Sequence, residues 1–142
     1  MALTLYTNKQ SRGVVVDWLI LDLGIEVERI EVAYGEEMKS AEFLKLNPFG
    51  ELPILDDNGF ILRDSQAILI YLAGKYAGEA WWPSTPQLQA EVSQWLFVTE
   101  NEIQHGPCAA RLIDLFNYPL DKQITLTKAA RVLDLLNTHL SQ

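Results

Sequence analysis

The stretch "NPFGELPILDDNGFILRDSQAI", residues 47–68, decides the fold that we predict for this chain. Two short apolar runs, 53–55 and 60–62, flank "DDNG", and an Asn-Gly turn between apolar runs is a strong signal of a two-stranded hairpin. Asp64 and Ser65 then open an apolar stretch that predicts a helix over 65–77. The segment therefore predicts a hairpin followed by a helix that covers it.

The residues before this hairpin predict a strand, a helix, a second strand and a short helix. The strands are predicted over 3–6 and 26–33, and the helices over 11–23 and 40–47. Because the helix over 11–23 is apolar on most sides, we expect it to be buried. The order β-α-β-α-β-β-α then predicts an α/β domain, in which one four-stranded mixed sheet carries helices on both faces.

The residues after 77 predict a linker and an all-α second part. Gly78, Pro83 and Pro86 interrupt helices, so residues 78–86 are predicted to connect domains at 1–77 and 87–142. Helices are predicted over 86–103 and 121–140. The second of these carries an apolar stripe that needs a packing partner, made of Leu126, Ala129, Ala130, Leu133, Leu136 and Leu140.

Composition excludes several functions. The chain has 142 residues, of which 49% are apolar, and a formal net charge of −8. That charge argues against nucleic acid, whose phosphates need Lys and Arg. The longest apolar run is interrupted by Asp17 and Asp22, so no membrane span is predicted, and the first ten residues lack the features of a secretory signal. Cys108 has no disulfide partner, which fits the reducing cytoplasm, and the two histidines are too far apart to predict a metal site.

Three local features each allow a structural and a functional interpretation. Pro53 is either an ordinary proline at a strand start or a cis proline beside a main-chain edge that pairs with an extended peptide. Asp64 and Ser65 either cap a helix or hold the head group of an α-amino acid. Ser11 is either a plain N-cap or a hydroxyl that stabilises a bound thiolate with help from Arg12.

The three features occur in an order that resembles a known family. The segments "LTLYTNKQSRG", "EFLKLNPFGELPIL" and "LRDSQAILIYLAGKY" are similar to the N-terminal motifs of glutathione S-transferases of bacterial or cyanobacterial type, and the likeness extends to "VSQWLFV". The resemblance implies a thioredoxin-like N-terminal domain, glutathione as co-substrate without a metal, and a cytoplasmic homodimer that acts in detoxification. It also implies further helices after a segment like 121–140, so we expect a shortened C-terminal domain, either a fragment or a natural short form.

The same resemblance assigns the glutathione-binding residues. Leu52, beside a cis Pro53, is implied to pair its main chain with the cysteinyl unit. Asp64 and Ser65 are implied to hold the γ-glutamyl end, and Lys39 matches a basic position that faces the glycine carboxylate.

The resemblance is weaker at the thiol and at the glycine end. Ser11 is implied to hydrogen-bond the sulfur, although the spacing to Gly24 allows Gly13 to occupy the catalytic position, with Ser11 or Arg12 acting from a shifted place. Glu51 stands where the family often has Lys or Gln, and an acid there repels the glycine carboxylate.

Two classes of function stay open from the sequence. The first is an enzyme that adds the glutathione thiolate to a small electrophile or reduces a peroxide with glutathione. The second is a non-catalytic glutathione-transferase-like module that binds a partner protein. A thioredoxin-type disulfide oxidoreductase is disfavoured because the chain has no Cys-x-x-Cys.

Overall fold

Four short strands organise the first half of the chain in the computed structural model, which describes residues 3–142. Residues 1 and 2, which begin the predicted first domain, lie outside this range. The strands lie in the order β2-β1-β3-β4. Their bounds are β1 (Leu3–Thr7), β2 (Glu28–Glu31), β3 (Ile54–Asp57) and β4 (Phe60–Leu62).

The strand register brings several chain ends to one edge of the sheet. β1 runs parallel to β2, and β3 runs antiparallel to both β1 and β4. Tyr6 lies opposite Ile54, and Leu55 lies opposite Leu62. The segments that follow β1, β2 and β4 therefore meet the segment that precedes β3, and the predicted four-stranded mixed sheet is confirmed.

Helices cover both faces of this sheet. They are α1 (Gly13–Asp22), α2 (Ala41–Leu46) and α3 (Ser65–Leu72), with a 3₁₀ turn over Glu37–Lys39. After α3 the predicted helix over 65–77 continues as a π-helical turn, Ala73–Ala77, before a 3₁₀ turn at Gly78–Ala80.

Two apolar clusters hold the helices to the sheet, and the alternation of side chains along the strands separates them. Leu55 belongs to a cluster with α1 and α3, whereas its neighbour Ile54 belongs to a cluster with the 3₁₀ turn and α2. The first cluster is made of Leu3, Leu5, Val16, Leu19, Ile20, Leu55, Ile68 and Leu72. The second is made of Val32, Met38, Phe43, Leu52 and Ile54.

The expectation that the first helix is buried was wrong for half of its surface. Val16, Leu19 and Ile20 are buried, but Val14 and Trp18 are exposed by 47% and 57%. The helix is apolar on both sides, so its composition does not reveal which side packs against the sheet. The exposed side makes an aromatic contact instead, with the Trp18 and Trp81 rings 6.2 Å apart.

The second half of the chain is helical and forms a compact unit of its own, which begins at Pro86. Its elements are α4 (Pro86–Val98), a π-helical segment (Thr99–Cys108), α5 (Ala109–Phe116) and α6 (Lys122–Leu140). The predicted helix over 86–103 ended too early, because helical backbone continues through Pro107 to Phe116. No helix within residues 3–142 has both the length and the apolar character needed to cross a bilayer.

The packing face of α6 also differs from the prediction. Ala129 of the predicted stripe is buried, together with Thr125 and Val132, whereas the stripe residues Leu133 and Leu140 are exposed by 54% and 81%. Gly106 explains the difference, since a Cβ there would lie only 3.4 Å from Val132 Cγ2. Gly106 and Ala129 let the π-helical segment and α6 approach closely, so Leu133 and Leu140 lie on a neighbouring face of α6.

Candidate functional site

The sheet edge beyond Tyr6 and Ile54 gathers most of the residues singled out by the sequence. The register continues from Tyr6 and Ile54 toward the segments that contain Ser11 and Leu52. Asp64 closely follows β4, which ends beside the start of β3. The predicted peptide edge, helix start and hydroxyl are thus brought to one side of the sheet.

Leu52 offers its main chain at this edge. The Leu52–Pro53 peptide bond is cis, as the resemblance implied. The Leu52 side chain is buried among the second apolar cluster, and β3 begins only at Ile54. Within residues 3–142, no hydrogen bond joins the Leu52 main chain to another backbone group. Its N–H and C=O are therefore in a position to pair with an extended ligand.

Asn47 shapes the turn that leads to Leu52. Its side chain is 1% exposed, and its Nδ2 donates to the Glu51 carbonyl oxygen at 2.7 Å. Its Oδ1 accepts from the Phe49 N–H at 3.1 Å. Gly50 has φ +64°, a conformation that glycine adopts without strain. One buried amide thus fixes the backbone from 47 to 51.

The far end of this turn carries an acidic surface. Gly50 packs against the 3₁₀ turn, since a Cβ on it would lie 3.2 Å from the Met38 carbonyl oxygen. Lys39 Nζ lies 3.3 Å from Glu36 Oε1, and both side chains are exposed. Glu51 is exposed as well. Two acids, Glu36 and Glu51, and one base, Lys39, thus lie in this region, so a carboxylate that approaches it meets a net negative charge.

The start of α3 combines a cap with an unpartnered hydroxyl. Asp64 Oδ1 accepts from the Ala67 N–H at 2.9 Å, so the capping interpretation is confirmed for this residue. Ser65 is 3% exposed, and among residues 3–142 neither its buried Oγ nor Gln66 Oε1 has a hydrogen-bond partner. Buried polar atoms in proteins nearly always have a partner. The Ser65 hydroxyl at this helix N-terminus is thus a buried group with unused hydrogen-bonding capacity among the described residues.

The hydroxyl of Ser11 is fully used by the fold. It donates to the Asn8 carbonyl oxygen at 2.8 Å and accepts from the N–H groups of Gly13 at 3.0 Å and Asn8 at 3.3 Å. Ser11 is 7% exposed. The N-cap of α1 is Arg12, which makes no side-chain cap hydrogen bond, so the predicted N-cap role of Ser11 was wrong by one residue, and Ser11 instead braces the turn before the helix. Arg12 occupies the position just before α1.

Gly13 is required where α1 meets β1. A Cβ on Gly13 would lie 2.0 Å from Thr7 Oγ1 and 2.9 Å from Ser11 Oγ. Gly13 therefore lets the start of the helix pack directly against the end of the strand.

Sequence reasoning missed two residues beside Ser11. Asn8 Nδ2 donates to the Val32 carbonyl oxygen at 3.0 Å, which ties the segment after β2 to the end of β1. That segment also carries Tyr34. Partial burial raises the pKa of Tyr34, and the interaction with Ser11 offsets only part of this effect. Neither residue belongs to a helix or strand pattern, so only the three-dimensional contacts reveal them.

A separate polar cluster lies at the opposite end of β3. Asp57 accepts from the Tyr71 hydroxyl at 2.5 Å and forms an ion pair with Lys75. The Lys75 ammonium, followed by the Tyr71 hydroxyl, lowers the pKa of the Asp57 carboxyl. Asp57 and Lys75 border a cavity of about 510 Å³ near Leu3 and Tyr76. Across residues 3–142, no group of three or more His, Cys, Asp or Glu side chains is placed to hold a metal ion.

Comparison with known proteins agrees with this geometry. The family model described as "Glutathione S-transferase, N-terminal domain" matches residues 1–74. Human glutathione S-transferase theta-2 is 39% identical over 90 residues, which cover 63% of this chain and 36% of that protein. Glutathione S-transferase F10 of Arabidopsis thaliana is 30% identical over 154 residues, which cover 100% of this chain and 71% of that protein.

Solved structures share the fold across both halves. The glutathione transferase BmGSTD1 of Bombyx mori matches with a TM-score of 0.86 at 28% identity, covering 99% of this chain and 67% of that one. URE2P6 of Phanerochaete chrysosporium, solved with oxidised glutathione, matches with a TM-score of 0.84 at 29% identity, covering 99% and 68%. The chain spans little more than a third of the length of the human relative. Because the matched domain covers more than half of the chain, the chain belongs to the glutathione S-transferase family.

Proposed function

We propose that this site binds glutathione and activates its thiol for attack on a small electrophile. The observation that carries the proposal is the buried, unpartnered Ser65 hydroxyl at the start of α3, on the same side of the sheet as the unpaired main chain of Leu52. The first group suits a carboxylate, and the second suits an extended peptide. Glutathione, a γ-glutamyl tripeptide, offers both in one small molecule.

The groups at the sheet edge fit the two N-terminal units of that tripeptide. The cysteinyl unit adds to the edge through the N–H and C=O of Leu52, beside Pro53, in the manner of a short extra strand. The γ-glutamyl carboxylate accepts from Ser65 and from the free N–H groups of the α3 start. The second carboxylate oxygen of Asp64 takes the ammonium group, while the first remains the helix cap.

Lys39 and Glu51 act in opposite directions at the glycine end. Lys39 attracts the glycine carboxylate but must first leave Glu36, with which it is paired. Glu51 lies one residue before Leu52 and repels the same carboxylate. We therefore expect weaker affinity for glutathione than a site with a basic residue at position 51 provides.

The chemical step needs a thiolate. A thiol with a pKa of about 8.5 is only a few per cent ionised at neutral pH, and lowering that pKa by ~2 units needs ~2.7 kcal/mol of preferential stabilisation. The thiol proton leaves to solvent, the sulfur forms a bond to the electrophilic carbon, and the leaving group departs with its electron pair. The α1 N-terminus and Arg12 are the groups that we propose to favour the thiolate, while Ser11, whose hydroxyl is bonded within the turn, holds that helix start in place.

Glutathione-dependent peroxide reduction uses the same thiolate. The sulfur attacks the O–O bond and releases an alcohol after proton uptake. A second glutathione then displaces water from the sulfenic acid to give the disulfide.

Several expectations from the resemblance and the sequence stay predictions. They are the homodimer, the detoxification role, the cytoplasmic location, the bacterial subtype, the shortened C-terminal domain and the division at 1–77, 78–86 and 87–142.

A non-catalytic glutathione-transferase-like interaction module is the second candidate. Two observations favour it: the Ser11 hydroxyl is already saturated, and Glu51 places an acid at the glycine end. This alternative predicts no saturable glutathione binding near millimolar concentration.

Titration calorimetry with glutathione tests the proposal. We expect saturable binding by the wild type and loss of binding in Asp64→Ala. Asp121→Ala is the matched control, because Asp121 Oδ1 also caps a helix, accepting from the Ile124 N–H at 2.8 Å. Both variants lose one helix cap, which costs about 0.5–2 kcal/mol of stability. Equal glutathione affinity in the two variants would show that Asp64 does not hold the ligand.

A further inference from the structure

The strand register fixes the direction in which an extended thiol peptide lies on the sheet edge. The antiparallel pairing of β3 with β4, continued past the end of β4, brings Asp64 level with Pro53. A γ-glutamyl end that is held at Asp64 and Ser65 therefore lies on the Pro53 side of Leu52. The third unit of the peptide then lies on the other side of Leu52, beside Glu51.

The hydrogen bonds that Leu52 offers lead to the same placement. A cysteinyl unit that exchanges both of its main-chain bonds with one residue pairs with that residue in the antiparallel manner. The next unit of the ligand then lies directly opposite Glu51, and opposite residues of such a pair have Cα atoms about 4.5–5.5 Å apart. Asn47 Nδ2 donates to the Glu51 carbonyl oxygen at 2.7 Å, which holds this backbone in place. Like charges at directly opposite positions are destabilising.

The charge of the Glu51 carboxylate distinguishes this end of the site. The side chain is exposed, and among residues 3–142 it takes part in no ion pair. The stretch 36–51 contains four glutamates and two lysines. A carboxylate on the third unit of the ligand therefore meets net repulsion, whereas a cation there meets attraction.

Lys39 is the group that opposes this repulsion. Its Nζ lies 3.3 Å from Glu36 Oε1, so it must leave one carboxylate before it binds another. Such an exchange frees the charge of Glu36 beside the ligand, and its net gain is small. The charge of Glu51 therefore decides which third unit binds best.

We propose that this site prefers glutathione whose glycine carboxylate is masked as an amide, and above all an amide that carries an amine. The inference rests on the proposed function, since it names the substrate class of that same site. The contacts of the γ-glutamyl and cysteinyl units with Ser65 and Leu52 are the same in glutathione and in its amides. Selection comes from the third unit alone, because a neutral amide removes the repulsion by Glu51 and an ammonium group turns it into attraction.

The test compares glutathione, its C-terminal amide and its 2-aminoethyl amide by titration calorimetry on the full chain at low salt. One charge pair at about 6 Å in a water-like dielectric changes an affinity about threefold. We therefore expect the amide to bind about threefold tighter than glutathione, and the 2-aminoethyl amide about tenfold tighter. Both preferences should shrink at high salt, because exposed charges are then screened.

Substitutions at Glu51 assign the preference to one side chain. Glu51→Gln should remove most of the preference, and Glu51→Lys should invert it, so that glutathione binds tightest of the three ligands. Glu28→Gln is the matched control, because Glu28 is also exposed and lies opposite Thr4, at the end of the sheet away from Leu52. This control removes the same charge from the chain and should leave the preference unchanged.

The outcomes separate the inference from the proposed function. Wild-type binding of glutathione as tight as, or tighter than, that of the amide would overturn the inference and leave the proposed function in place. A preference that persists in Glu51→Gln would also overturn it, because another group would then be responsible. Absence of saturable binding of all three ligands would refute the proposed function, and the inference with it.

Discussion

Replacing Asn47 by alanine should weaken both the fold and the ligand edge. The side chain is 1% exposed and makes two hydrogen bonds, to the Glu51 carbonyl at 2.7 Å and from the Phe49 N–H at 3.1 Å. Each such bond contributes about 1 kcal/mol net, and a partner left buried and unpaired adds about 1–3 kcal/mol. We therefore expect Asn47→Ala to lower the free energy of unfolding by about 3–5 kcal/mol in total.

The affinity for glutathione should fall in the same variant. Asn47 Nδ2 is bonded to the residue just before Leu52, so its loss frees the backbone that we propose to pair with the cysteinyl unit. Urea unfolding measures the first effect, and titration calorimetry below the unfolding transition measures the second. Asn47→Asp separates the two bonds, because it keeps an acceptor for Phe49 N–H but loses the donor to Glu51.

Asn101→Ala is the control for this experiment. Asn101 also donates from Nδ2 to a main-chain oxygen, that of Phe97 at 2.9 Å, but it is exposed. Surface changes of this kind usually stay within about 0.5 kcal/mol. If Asn47→Ala were no more destabilising than Asn101→Ala, the buried amide would not be what holds the 47–51 turn. Full glutathione affinity in Asn47→Ala would separate that turn from the binding edge.

Three further changes test other parts of the structure. Gly13→Ala should lower the free energy of unfolding by about 1–3 kcal/mol through overpacking against Thr7 Oγ1, and adding Thr7→Ala should recover part of this loss in urea unfolding. Strictly additive effects of the two substitutions on the free energy of unfolding would contradict the clash. Glu51→Lys removes one repulsion from the glycine carboxylate and adds one attraction, about 0.7 kcal/mol each at about 6 Å in a water-like dielectric. Glutathione should therefore bind roughly tenfold tighter at low salt. An affinity that changes neither with the substitution nor with the salt concentration would contradict this. Lys75 lowers the pKa of Asp57 in the folded state, so the pair stabilises the protein above the unfolded carboxyl pKa of about 3.9 and loses this effect as pH falls. Asp57→Asn should therefore flatten the pH dependence of the free energy of unfolding in acid. An unchanged slope would show that other groups cause this pH dependence.

The sheet and its order could be predicted because they depend on short-range signals. The Asn-Gly turn at 58–59 closes the hairpin, with φ +54° at Asn58 and +90° at Gly59. Asp64 marks the start of α3, because aspartate before an apolar run is a common N-cap that accepts from an N–H of the first helical turn. Signals of this kind act within a few residues, so a sequence displays them without a structure.

Packing faces could not be predicted in the same way. In α1 both sides are apolar, and in α6 the leucines are larger than the residues that actually pack. What decides α6 is Gly106, which lies in an earlier segment of the chain and lets Ala129 and Val132 approach. Such a choice depends on the partner surface, which periodicity within one helix does not contain.

The candidate site shows the same division between local and distant information. The sequence singled out Ser11 because a hydroxyl before a helix suits either a cap or a thiolate, and both uses have the same residue pattern. Only the count of hydrogen bonds distinguishes them, and three are present within the protein. Tyr34 had no such pattern, since its position depends on the bond between Asn8 and Val32.

A hydrogen-bonding group that the fold has already satisfied costs energy to redirect toward a ligand, whereas an unsatisfied one gains energy when a ligand arrives. By this criterion the groups at the sheet edge separate into two sets. Ser11 and Asp64 Oδ1 are satisfied by the starts of α1 and α3. Ser65 Oγ and the Leu52 main chain have no such partner among residues 3–142. We therefore expect binding energy to be concentrated in the second set and in the other carboxylate oxygen of Asp64, and substitution of Ser11 to act mainly through stability.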